Sequence, residues 1–109
     1  MLAGLLGSVN KERVLVYLAA RETGHARAVA RFFGVPLSPV QKAADALEVA
    51  GVLVAREVGS TREYRINPRY PGREELRRLV ERALGLYPEK LRDSLLLNRS
   101  RPRRKGKPL

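Results

Sequence analysis

The sequence predicts a mostly α-helical domain carrying one small β-hairpin, and three stretches point to it. Residues 26–51 read ARAVARFFGVPLSPVQKAADALEVAG, two helical apolar patterns parted by a short turn. Residues 52–66 hold two runs of β-branched or alternating residues on either side of Gly59-Ser60, the pattern of a hairpin. Residues 73–97 repeat leucine, valine and alanine at helical spacing. At 109 residues the chain is one domain, large enough for one modest core.

Taken in order, Ser8 or Asn10 caps a first helix that runs through Ala20, with Glu12 in its first turn facing the positive end of the dipole. Val14, Leu15, Leu18 and Ala19 form its buried stripe. Residues 21–24 connect it to a second helix, which His25 opens as a cap or as a polar first residue. Val29, Ala30 and Phe33 make one stripe there, and Gly34 follows where a helix end tolerates positive φ. Pro36 stops this helix from running on. Ser38-Pro39 then offers an oxygen cap and a first-turn proline to a longer helix over 37–50, whose start signals spread over about two residues around Leu37; it is striped by Val40, Ala44 and Leu47 and ends at Gly51. A brief helix, a tight turn and a longer helix are the signature of a helix-turn-helix, whose second helix lies in the DNA major groove. In the hairpin, Tyr64 and Ile66 fall on one face, Glu63 and Arg65 on the other. Residues 67–72 are a loop dense in proline and glycine. A helix over 73–84 follows, striped by Leu76, Leu79, Val80, Ala83 and Leu84 and ended by Gly85. Pro88-Glu89 opens a last short helix with Leu91 and Leu95 on one side and Leu96 and Leu97 behind them. From Asn98 onward the chain is too charged, and too rich in proline and glycine, to fold alone.

The segments ARAVARFFGV, SPVQKAADALEVAGVL and REVGSTREYRINP, in that order, resemble the winged-helix DNA-binding domains of ArsR-like and MarR-like bacterial and archaeal regulators. The resemblance covers roughly half the chain and implies a winged helix-turn-helix over residues 1–72; the apolar stripe of the C-terminal helices over 73–97 is expected to hold a homodimer, and composition marks 98–109 as a disordered basic tail. The resemblance also implies that double-stranded DNA is the partner and that transcription is regulated. The chain departs from part of the ArsR group: it has no cysteine, and so no thiolate metal sensor.

Charge points the same way. There are 22 basic and 11 acidic residues, a net of +11, which favours a polyanionic partner. Arg99, Arg101, Arg103, Arg104, Lys105 and Lys107 put six of those eleven charges in the tail, leaving five for the body. With 6% aromatics and no tryptophan, the core must be built of leucine, valine and alanine. No stretch approaches the roughly 18 apolar residues of a membrane span, and residues 1–6 do not read as a secretory signal, so a cytoplasmic protein is expected. His25 is the single histidine and has no nucleophile or carboxylate beside it in sequence. Neither an enzyme nor a metal or cofactor site is expected.

The candidate DNA contacts follow from the helix-turn-helix and hairpin. Ser38, with its helix N-terminus, suits a phosphate. Gln41 can bond adenine bidentately, and Lys42 can reach guanine acceptors. Yet Asp45 is repelled by phosphates, Ala43 and Ala46 are small, and no arginine lies between Arg31 and Arg56, so base reading is less supported than binding. Arg62, beside the hairpin tip, resembles the wing arginine that enters a minor groove. Arg56 and Arg65 lie near it on the hairpin, while Arg27 and Arg31 sit on the helix that crosses the backbone. Any of these arginines could instead pair with Glu48, Glu57 or Glu63, contacts worth roughly 0–1 kcal/mol on a surface. Tyr64 is expected to pack against the core. A second use of such a fold stays open: an adaptor for a protein or structured RNA, with loose nucleic-acid affinity from the tail. The C-terminal stripe likewise admits folding back on the first helix of its own chain.

Overall fold

A computed structural model describes residues 1–99. Their order is α1 (Ala3–Leu6), α2 (Val9–Arg21), α3 (Ala26–Phe33), α4 (Leu37–Val49), β1 (Leu53–Val58), β2 (Thr61–Ile66), α5 (Arg73–Gly85) and α6 (Glu89–Arg99). The domain is mostly helical with a small antiparallel hairpin, as the sequence predicts.

Helix α2 is the axis of the fold. Ser8 caps it, its Oγ accepting from the Lys11 N–H at 3.2 Å. Val14, Leu15, Val16, Tyr17 and Leu18 are all buried. Five consecutive buried residues wrap more than a full turn, so neighbours must surround this helix rather than line one stripe. Helices α1, α3, α4, α5 and α6 and strand β2 all pack on it. Helix α1, too short to show a periodic pattern, seats Leu2 in the core at 2% exposure.

Glu12 lies in the first turn of α2, as expected, but it is buried there. It is only 5% exposed. One oxygen accepts from the Leu2 N–H at 2.6 Å and from the N-terminal ammonium at 3.2 Å; the other accepts from the Tyr87 hydroxyl at 2.7 Å. The start of the chain and the α5–α6 connection thus meet on one buried carboxylate.

Helix α3 opens on His25, whose Nδ1 accepts from the Ala28 N–H, and closes on Gly34 at φ 66°. Helix α4 starts at Leu37, as expected, and corrects the expected cap: extended Pro36 is its N-cap, and Ser38 makes no capping bond. Pro39 is tolerated one residue further in because N–H groups of a first turn have no intrahelical acceptor anyway. Ala43, expected on the exposed face, is buried beside Val40, Ala44 and Leu47.

Strands β1 and β2 pair through Leu53↔Ile66, Ala55↔Tyr64, Arg56↔Glu63 and Glu57↔Arg62, turning at Gly59-Ser60. A backbone bridge from Gly24 to Tyr64 adds one residue of a third strand. A Cβ on Gly24 would come within 2.6 Å of the Tyr17 ring, so this close approach needs glycine.

The C-terminal stripe finds its cover within the chain. Val80, Ala83, Leu84 and Leu95 belong to the same core as α2, with Leu76 and Leu79 half-buried beside them. Arg21 on α2 donates to the carbonyls of Leu95 (3.1 Å) and Ser94 (3.2 Å), fastening α6 down. The stripe offered by the sequence to a second copy therefore lies against α2 of its own chain. Helix α5 includes Gly85, and α6 continues two residues beyond the expected Leu97. Most of the basic tail, residues 100–109, lies outside the described residues.

Candidate nucleic-acid interface

With one side of α4 buried by Val40, Ala44 and Leu47, the helical period turns Ser38, Lys42, Asp45, Ala46 and Val49 outward, and all five are exposed. Val49, at 89%, is the most exposed large apolar residue among those described. Gln41 is half-buried at the edge of this row.

Gln41 is not free to read a base as expected. Its Nε2 donates to the Tyr64 hydroxyl at 3.0 Å and to Asp45 Oδ1 at 3.1 Å, and the hydroxyl donates to the same carboxylate oxygen at 2.9 Å. The sequence placed Tyr64 correctly in the packing, where it is 2% exposed. What it did not show is that a buried phenol must find a partner, and that α4 supplies two. Burial first, and then the Asp45 carboxylate, push the Tyr64 pKa up. The phenol stays a neutral donor, suited to fixing α4 against β2 rather than to chemistry.

Arg62 is engaged too. Its Nη2 donates to Glu48 on α4 and its Nη1 to Glu57 directly across the hairpin. These bonds, that from Glu48 foremost, raise its pKa further, so its charge is permanent. The guanidinium spans α4 and the hairpin, and it is still 44% exposed.

Comparison with protein-family models, curated proteins and solved structures gave no match. Function must be read from these residues.

The hairpin separates the arginines that the sequence grouped. Side chains alternate across a strand. Arg62 and Glu57 lie on the face that looks to α4, whereas Arg56, paired with Glu63 at 3.1 Å, and Arg65 lie on the opposite face. Arg27, on the first turn of α3, and Lys42 are exposed with no ion pair to a described residue. The interface on the α4 side thus joins Ser38, Lys42 and Arg62. Gln41 stands behind it as a strut, and Arg56 and Arg65 belong elsewhere. The strand's period of two, already visible in residues 63–66, separates Arg62 from Arg65, because their numbers differ by an odd count.

Proposed function

We propose that the protein binds duplex DNA through α4 and the hairpin and regulates transcription in the cytoplasm, as a winged helix-turn-helix of the ArsR-like and MarR-like kind. The observation that carries this is the rigid joint between the two elements. Tyr64 bonds Gln41 and Asp45, Arg62 bonds Glu48, and the outer row of α4 stays exposed. A helix held at a fixed angle to a hairpin, with one face free, meets the geometric demand of major-groove docking. Lys42 is the base-edge candidate, Ser38 contacts a phosphate, and Arg62 exchanges a glutamate for a phosphate or a minor-groove edge.

Selection from a random duplex pool, followed by titration of matched and scrambled sites, tests the reading. Lys42→Ala should cost roughly 1–3 kcal/mol on the matched site and little on the scrambled one. Wild-type binding by both Lys42→Ala and Arg62→Ala would rule α4 out. Two copies on a two-part site are part of the proposal; their contact is then the groove where exposed Met1 and Leu86 flank half-buried Leu79 at the edge of the stripe, not the buried residues of the stripe. A single chain by light scattering at roughly tens of micromolar would remove that part.

The acids Asp45 and Glu48 beside exposed Ala46 and Val49 favour a second reading, an adaptor that docks a protein on α4. A partner retained from extract after nuclease treatment would support it.

A further inference from the structure

Most of the structured positive charge is not on α4. On that side Lys42 and Arg62 face Asp45, Glu48 and Glu57, an acidic balance. The opposite face of the hairpin is different. Two grooves meet there at Arg65 and Pro68. One, of about 380 Å³, runs between Arg56, Arg65 and Arg69; the other, of about 240 Å³, runs between Arg65, Arg73 and Arg77. Strand β2 supplies Arg65 and the following loop Arg69. The first turns of α5 supply Arg73 and Arg77, which are four residues apart and so share one side of the helix.

The acids nearby do not cancel this charge. Among the described residues, Glu63 and Glu22 are the acids bordering the grooves, against five arginines. Glu74 stands 3.9 Å from Arg73 and Glu81 3.8 Å from Arg77, both pairs well exposed. Such pairs are weak and exchange readily for a phosphate, which a guanidinium meets with two parallel donors. Among the described residues, no aromatic ring borders either groove. Stacking on unpaired bases is therefore not on offer, and the chemistry favours the backbone of a duplex over a single strand.

We propose that the Arg65–Arg69–Arg73–Arg77 surface is a second phosphate-backbone site, and that it takes a second segment of duplex DNA. Because Arg62 and Arg65 lie on opposite faces of the hairpin, a straight duplex docked on α4 leaves this groove open. One chain then holds two segments together. The bridging rests on the reading of α4 given above; the groove itself does not.

The test uses the full chain, one duplex fixed to beads and a second, fluorescent duplex free in solution. Wild-type protein should carry the fluorescent duplex onto the beads. The variant Arg65→Gln/Arg69→Gln/Arg73→Gln should bind the first duplex with a log–log salt slope smaller by about 1–3, and should capture the second roughly tenfold less well. Arg69→Glu, a single change on an exposed loop residue, should weaken capture in the same direction; circular dichroism checks that both variants remain folded. Equal capture by wild type and both variants, or no capture by wild type, overturns the proposal. Lys42→Ala/Arg62→Ala separates the two readings. If it binds like wild type while the groove variants fail, the α4 reading falls and the groove stands as a DNA site. If it alone loses binding, α4 stands and the groove falls.

Discussion

At Glu12 burial and hydrogen bonding oppose each other. Burial alone would raise its pKa, but the Tyr87 hydroxyl, the Leu2 N–H and the N-terminal ammonium outweigh it and hold the carboxyl below its ordinary value. Burial, and then the same bond, pushes the Tyr87 pKa up, so the tyrosine remains the donor. A carboxyl with a depressed folded-state pKa contributes stability above its unfolded pKa and loses it as pH falls through the folded one. The melting temperature should therefore fall as pH drops below about 4, the range of a free glutamate. Glu12→Gln should flatten that dependence, and Glu12→Ala should cost about 1–3 kcal/mol at neutral pH by stranding its donors. Melts followed by circular dichroism between neutral and acid pH check both. An unchanged acid limb in Glu12→Gln would mean that other carboxylates carry it.

The elements were legible in the sequence wherever the deciding interaction is local. His25 caps α3 and Gly34 ends it because both act within one helical turn. The hairpin turns at Gly59-Ser60 for the same reason. Contacts between elements were hidden. The pattern marks Tyr64 as apolar-facing, but nothing near it in sequence says that its hydroxyl will engage Gln41 and Asp45. Gly24 reads as one residue of a connector, yet it pairs with Tyr64 and lies against the Tyr17 ring. Gly24→Ala should cost about 1–3 kcal/mol through overpacking, with loss of protection at the Gly24 and Tyr64 amides in hydrogen exchange. Wild-type stability in this variant would show that Tyr17 gives way without cost.

For the whole molecule, α2 makes one body of α3, α4, the hairpin and the C-terminal helices. Leu95 is fully buried in the common core, so Leu95→Ala should cost about 2–5 kcal/mol in a single cooperative transition. Chemical denaturation followed by two probes checks this; a separate early transition for α5 and α6 would contradict it. The bonds that bind the last helices to α2 join residues far apart in the chain: Tyr87 lies 75 residues from Glu12, and Leu95 lies 74 from Arg21. Closing loops of that length delays such contacts, whereas α3, α4 and the hairpin need only short ones. The Tyr87–Glu12 bond should accordingly form after the rate-limiting step of folding. Tyr87→Phe should then leave the refolding rate near that of the wild type and accelerate unfolding, a shift that stopped-flow chevrons resolve. The carboxylate where the two distant parts of the chain meet would act as a late-closing latch, setting how long the native state lasts rather than how fast it is reached.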